Sequence, residues 1–143
     1  MAIPNPLEAV VDFLLNDAGV VDLVSTRVYF AELPRADTKL APRAAVVVSA
    51  SGGGGTGAGD RSFIPLTKMR MDVRAYAATP YACWAIHLAV LDALKNLSRA
   101  VETATLLHCA TVTGGPLQLR DGDLDWPLVL SVYDVIVAEV AIP

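Results

Sequence analysis

The sequence contains little cysteine and little net charge, and both shortages exclude classes of protein. Its two cysteines, Cys83 and Cys109, are too few for a disulfide framework, which indicates a reducing compartment such as the cytoplasm. Eleven basic and fifteen acidic residues give a net charge of −4, so the whole molecule has no general attraction for nucleic acid or anionic lipid. The chain also opens without a basic segment followed by an apolar one, so we expect no secretory signal.

Long uninterrupted apolar runs are missing as well. The longest apolar stretch, residues 81–94, is interrupted by His87 and Asp92 and falls short of the ~18 to 20 residues that span a bilayer, so we expect no membrane segment. The apolar share is nevertheless high, because 54% of the residues are hydrophobic without glycine, against about 45–50% with glycine in ordinary domains. Soluble monomers rarely expose large apolar patches, so part of this excess is expected to cover a partner or a second copy of the chain.

Two helices are predicted from apolar residues that recur every three or four positions. The first covers residues 7–15 and begins after a cap at Asn5. The second runs from about residue 80 to 97 after a cap at Thr79. This second helix carries two apolar stripes, so we expect more than one of its faces to be covered, as in a central helix. The stripes are Trp84, Leu88 and Leu91, and Cys83, Ile86, Val90, Leu94 and Leu97.

Strands are predicted on both sides of the second helix. Residues 44–50 are β-branched and bounded by proline and glycine, which favours a buried strand, and charges that alternate with apolar residues over 68–76 indicate a strand with one charged face. Further strands are expected over 27–34, 105–113, 117–120 and 128–140, with a short helical piece over 20–24 and a turn at 113–116. This order, in a chain of 143 residues, predicts one α+β domain in which a mostly antiparallel sheet packs against a long central helix and an N-terminal helix.

Six glycines fall within eight positions after the strand at 44–50. They are Gly52, Gly53, Gly54, Gly55, Gly57 and Gly59. A phosphate-binding loop would continue with a lysine, a hydroxyl residue and a helix, whereas Asp60 follows here and the next segment has the pattern of a strand. We therefore interpret residues 51–63 as an extended hairpin loop that contacts a partner. A small phosphate- or nucleotide-binding domain is the alternative of a different class.

No catalytic, cofactor-binding or metal site is predicted. Cys83 and His87 share one helix face, and His108 and Cys109 are adjacent on a strand, but these spacings match no familiar zinc-binding pair. Buried cysteines and a hydrogen-bonded histidine are the expected roles. No serine lies in a glycine-flanked elbow that would make it a nucleophile.

A calcium loop is also not predicted. Asp121, Asp123 and Asp125 occupy the first, third and fifth positions of such a loop. Trp126 and Val132 stand where the loop requires a glycine and an acidic ligand. We interpret the segment as a solvated turn.

Basic side chains gather on one face of the strand predicted over 68–76. Lys68, Arg70 and Arg74 alternate along it, and Arg61 lies nearby in the chain. The pattern fits a solvated face, a contact with an acidic surface of a neighbouring subunit, or a contact with DNA. Tyr76 is the one aromatic residue on that face, which is few for a protein that binds single strands. We keep the four basic residues, with the six glycines, as candidate interaction residues.

Four phrases occur along the chain in an order that resembles a known family. They are "LLNDAGVVDLVSTRVYFAELP", "APRAAVVVSA", "MRMDVRAYAATPYACWAIHLAVLDALKNL" and "LSVYDVIVAEV". In this order they resemble the tail-completion or tail-terminator (head-tail joining) proteins of long-tailed bacteriophages and gene transfer agents, and the resemblance extends over nearly the whole chain. The long glycine loop departs from the family pattern.

The resemblance implies a small virion protein, without enzymatic activity or cofactor, that forms a ring, usually a hexamer. Such a ring lies at the head-proximal end of the tail tube, stops tube growth and contacts both the tail tube protein and the head-tail connector. Genome DNA passes through it without sequence-specific binding. The implied location is the tail or neck of the virion, after assembly in the host cytoplasm, and a connector stopper or neck protein is the nearest alternative. In the family, loops and sheet edges carry the contacts, which favours residues 51–63 as a contact arm.

Overall fold

The computed structural model describes residues 5–34, 44–51, 66–102, 105–122 and 124–138. Within them the chain forms three helices and six strands. The helices are α1 (Pro6–Leu15), α2 (Ala18–Val24) and α3 (Pro80–Lys95), and the strands are β1 (Val28–Phe30), β2 (Ala45–Ala50), β3 (Leu66–Tyr76), β4 (Ala100–Glu102), β5 (Thr105–Arg120) and β6 (Pro127–Ala138). The predicted α+β class is confirmed.

The strands form one sheet in the order β1-β2-β3-β6-β5-β4. β1 is parallel to β2, and every other neighbouring pair is antiparallel, so the predicted mostly antiparallel sheet is confirmed. β3 and β6 lie at the centre and pair along their whole length, from Leu66 opposite Ala138 to Tyr76 opposite Leu128. α1 contacts β1 and β2 as well as β4 and β5, because the sheet curves around it as a half-barrel.

Two of the three helices, α1 and α3, begin at the caps that the sequence predicts. The Asn5 Oδ1 atom accepts a hydrogen bond from the Leu7 backbone N–H at 3.1 Å, and Thr79 Oγ1 accepts one from Ala82 N–H at 3.2 Å. Each cap satisfies a donor that the first helical turn leaves unpaired. α3 ends at Lys95, two residues before the predicted end. Among the described helices, none combines the length and apolar character that crossing a bilayer requires.

The main core lies between the three helices and one face of the sheet. Its apolar residues come from α1, α2 and α3 and from alternate positions of β2, β3, β5 and β6, as expected where successive strand residues point to opposite faces. Its largest fully buried side chains include Leu14, Met71, Leu94, Leu107 and Tyr133. The helices therefore occupy one side of the sheet, and the charged alternate residues of β3 lie on the other.

A smaller cluster covers one end of that opposite face. It consists of Ala45, Val47, Tyr76 and Leu128, all buried. The connection between β5 and β6 folds over it, since Trp126 lies edge-on to Tyr76 with ring centroids 6.0 Å apart and Tyr76 Oη donates to Asp121 Oδ2 at 3.4 Å. The segment that resembles a calcium loop in sequence thus serves as a turn that packs on the sheet.

β5 continues where the sequence predicts a turn. The prediction of separate strands over 105–113 and 117–120 is wrong, because β5 runs unbroken from Thr105 to Arg120. The register shifts between Val112 and Gly114 and again between Gly114 and Leu117. Glycine and proline mark β-bulges as well as turns, so the same residues admit both structures.

Two other strands differ from prediction. β4 is not predicted from the sequence at all, and its three residues pair with the start of β5. β1 ends at Phe30, well before Pro34, because Ala31 adopts a φ of 71° and turns the chain away. The strand predicted over 27–34 is therefore too long.

Candidate interaction surfaces

The described residues include three of the candidate interaction residues. Lys68, Arg70 and Arg74 lie on β3 and point away from the helices, because the alternate residues Met71 and Val73 belong to the main core. The six glycines and Arg61 lie outside the described residues, so the contact role of residues 51–63 stays a prediction.

An acidic residue of β6 pairs with two of these basic side chains. Arg70 Nε donates to Asp134 Oδ1 at 3.1 Å, and Lys68 Nζ lies 3.8 Å from Asp134 Oδ2. The Asp134 side chain is 8% exposed, against 37% for Arg70 and 47% for Lys68. Arg74 instead lies opposite Val47 and Leu130. The strand face is therefore a mixed-charge surface, and an open basic patch of the kind that holds DNA phosphates is not formed by these three residues.

We expect the two partners of this ion pair to differ in their contribution to stability. Arg70→Ala leaves a nearly buried carboxylate with one distant lysine and is expected to lower the free energy of unfolding by about 2–3 kcal/mol. Asp134→Ala leaves a guanidinium that water can reach and is expected to cost about 1 kcal/mol. Urea unfolding of both variants measures the difference. An equal loss, or a larger loss for Asp134→Ala, would contradict this account of the pair.

α3 leaves one of its two apolar stripes uncovered. The stripe that contains Leu94 is buried in the main core, whereas Trp84 is 37% exposed and Leu88 is 55% exposed. Tyr81 precedes them on the same side of the helix and is 92% exposed. The prediction that more than one face of α3 is covered is therefore not confirmed for a single chain, because Leu91 of this stripe packs partly against the main core while Trp84 and Leu88 remain exposed.

An open groove lies between this stripe and the middle of β5. Its volume is about 540 Å³, and it is lined by Leu91, Lys95, Ala110, Thr111 and Val112. β4 pairs with residues 105–107 of β5, so from residue 109 to 120 no strand in the described part of the chain lies along the outer edge of β5. The groove is thus bounded by an apolar helix flank on one side and an open sheet edge on the other.

Cys83 and His87 have structural roles on the buried face of α3. The Cys83 Sγ–H donates to the Pro127 carbonyl oxygen at 3.2 Å, and burial raises the pKa of its thiol. His87 is buried and lies edge-on to Trp84, with ring centroids 5.3 Å apart. Within the ranges that the structure describes, no three Cys, His, Asp or Glu side chains come together as metal ligands.

The buried imidazole makes stability depend on pH. Burial lowers the pKa of His87, so the unfolded chain takes up a proton near pH 6.5 while the folded chain stays neutral. Stability is therefore full above about pH 6.5 and is lost as the pH falls towards the folded pKa, at up to ~1.4 kcal/mol per pH unit. We expect urea unfolding between about pH 7.5 and pH 5 to show a steeper loss for the wild type than for His87→Gln. Parallel curves would contradict the assignment.

The fold is similar to that of a chain in the structure of the virion of a native gene transfer agent (GTA) particle. The TM-score is 0.65 and the sequence identity is 22%, and the alignment covers 92% of this chain and 93% of that chain. At this identity the similarity concerns the fold alone. No protein-family profile matches the chain, and no curated protein sequence matches it.

Proposed function

We propose that this protein is a structural component of a phage-like virion that forms a ring at the head-proximal end of the tail tube. The ring ends growth of the tube and joins it to the head connector. It is built from copies of this chain, with six as the number that the family resemblance favours. The protein resides in the tail or neck of the particle after assembly in the host cytoplasm.

The observation that carries this proposal is the extent of the fold similarity. It spans nearly all of both chains, so the likeness concerns the whole domain and is not confined to a common sheet motif. The sequence independently resembles tail-terminator proteins in its order of elements. Two independent routes therefore favour the same class of particle protein.

The uncovered helix stripe supports assembly with other chains. Tyr81, Trp84 and Leu88 expose large apolar surfaces on one side of α3, and aromatic residues are enriched where protein interfaces are most tightly packed. The tail tube protein, the connector and further copies of this chain are the proposed partners. Genome DNA is proposed to pass through the ring without sequence-specific binding. The net charge of −4 agrees with this, because basic residues are what hold DNA phosphates.

The proposed role involves no covalent chemistry. Cys83 and His87 have the chemistry of a nucleophile and a base and lie on one helix face. Both are buried in the core, where a substrate does not reach them. Asp134 is nearly buried as well, and its carboxylate forms an ion pair with Arg70. These groups therefore contribute to the fold.

Negative-stain imaging of purified tail tubes tests the proposed function. Tail tubes from the particle to which this protein belongs are mixed with the protein and are expected to carry additional density at one end. Tubes assembled in its presence are expected to have a narrow length distribution. Tubes alone, and tubes mixed with an unrelated acidic protein of similar size, serve as controls. Uncapped tubes of unregulated length would contradict the proposal, and binding to purified connector without binding to tubes would indicate a neck stopper instead.

A further inference from the structure

We propose that Trp84 covers the buried His87 and that protonation of the imidazole opens this cover, so that the apolar surface of α3 differs between neutral and mildly acidic pH. The device consists of two side chains of one chain. It goes beyond the proposed ring and does not depend on it. Its evidence is the position of His87 on the helix, its contact with Trp84 and the charges around it.

His87 lies at the border between the buried and the open side of α3. On a helix its side chain is about 40° around from the buried Cys83 and about 60° around from Trp84. Imidazole rings at such borders usually keep one end in water, yet His87 is only 4% exposed. Its ring lies edge-on to the Trp84 ring, with centroids 5.3 Å apart and planes at 88°. The indole therefore lies between the imidazole and water on the open side.

The buried neighbours of His87 supply no negative charge. Cys83 lies one turn earlier on α3, and Tyr133 lies on the face of β6 that the helices cover. Burial raises the pKa of both groups, so both are neutral at and below pH 7. The residues that β3 and β5 contribute to the main core are apolar. A charge on the covered imidazole is therefore not balanced from the core side.

The charged side chains of the elements packed against α3 lie elsewhere. Those of β3 and β6 are on the far face of the sheet. Those of α2, α3 and β5, taken with their other groups that titrate near neutral pH, are at least partly exposed, and they are Asp22, Asp92, Lys95, His108, Cys109 and Arg120. Within the described ranges, no carboxylate forms a hydrogen bond or an ion pair with His87. The covered state thus favours the neutral ring.

Protonation favours a state in which the imidazole reaches water. Burial lowers the pKa of His87, so the covered state is complete above about pH 6.5 and is lost as the pH falls through the lowered pKa. Because His87 lies at the border of the buried face, a change of side-chain rotamer brings its ring to water once Trp84 moves aside. The exposed fraction of Trp84 then rises above its present 37%.

Removing the indole tests whether it is the cover. The pKa of His87 is measured by NMR titration of the imidazole signals in the folded chain. We expect a value below 6.5 in the wild type and a rise towards 6.5 in Trp84→Ala, because water then reaches the ring. Leu88→Ala is the matched control, since Leu88 is exposed about 100° around the helix from His87, and it is expected to leave the pKa unchanged.

The direction of this change separates a cover from an attractive contact. An aromatic ring can also attract an imidazolium, and loss of such an attraction in Trp84→Ala would lower the pKa of His87 further. A lower pKa in this variant, or an unchanged one, would overturn the inference.

Fluorescence of Trp84 tests the opening itself. Trp126→Phe leaves Trp84 as the only tryptophan of the chain, and its emission is followed from about pH 7.5 to pH 5. We expect a shift to longer wavelength whose midpoint matches the pKa of His87 measured by NMR, while the far-UV circular dichroism stays constant. In the same background, His87→Gln is expected to abolish the shift. His108→Gln, which removes the other histidine, is the control and is expected to retain it.

Two results of the fluorescence experiment would contradict the inference. Constant emission while His87 titrates would show that Trp84 does not move. A shift that coincides with loss of the helical circular dichroism signal would show that acid unfolds the whole domain and opens no local cover. Both experiments use the isolated chain, so a failure to bind tail tubes would count against the proposed function alone.

Discussion

Replacing Leu94 by alanine is expected to lower the free energy of unfolding by about 2–5 kcal/mol. Leu94 is 1% exposed and belongs to the main core, where α3 packs on the sheet. Removing its branched side chain loses buried apolar contacts and leaves a cavity that the surrounding strands fill only in part. Urea unfolding, monitored by circular dichroism under conditions where the chain is monomeric, measures the loss.

Leu88→Ala on the same helix is the matched control for this variant. Leu88 is 55% exposed, so the same chemical change is expected to alter the free energy of unfolding of the monomer by less than about 0.5 kcal/mol. Its effect is expected in self-association instead. Equal losses from the two substitutions would contradict the assignment of one buried and one open stripe to α3.

Gly115→Ala is the second substitution with a large expected effect. Gly115 has a φ of +73°, and a Cβ atom added there would lie 2.6 Å from the Leu130 backbone oxygen and 3.1 Å from the Ser131 Cα. An L-residue in that conformation costs about 1–2 kcal/mol, and displacing the backbone of β6 costs more, so we expect a total loss of about 2–4 kcal/mol. Thermal or urea unfolding provides the measurement.

Gly122→Ala is the control for that substitution. An added Cβ at Gly122 meets no atom within 4 Å, so the change is expected to alter the free energy of unfolding by less than about 0.5 kcal/mol. If both alanine variants unfold like the wild type, the close approach of β5 to β6 at Gly115 is not present.

Local patterns in the sequence predict the elements whose boundaries have a local cause. Asn5 and Thr79 are correctly predicted as caps because a side-chain acceptor two or three residues ahead of a free N–H is a local arrangement. The charged face of β3 is also correctly predicted, since charges that alternate with apolar residues admit one pleated arrangement. The α+β class follows from the order of these elements.

Features that depend on distant residues are not predicted. Asp134 meets Arg70 because β3 and β6 pair in one particular register, and the two residues are 64 positions apart. The sequence signal for this ion pair is Asp134 itself, a single acidic residue within an otherwise apolar strand. Likewise, both stripes of α3 are apolar, and the packing of α1, α2 and the sheet decides which one is buried. The glycines and Pro116 of β5 are compatible with a turn until β6 pairs alongside them.

The open stripe on α3 connects the composition of the chain to its proposed role. The sequence is 54% hydrophobic, and the structure leaves part of that apolar surface exposed on Tyr81, Trp84 and Leu88. A protein that works alone has no use for such a surface, which in water favours association. In the proposed ring, a neighbouring chain would cover this surface.

A reconstruction by electron microscopy of the particle that contains this protein tests the central claim most directly. We expect copies of the chain to form a closed ring between the tail tube and the head connector. A particle that lacks the chain, or that holds it as single copies without mutual contact, would contradict the account.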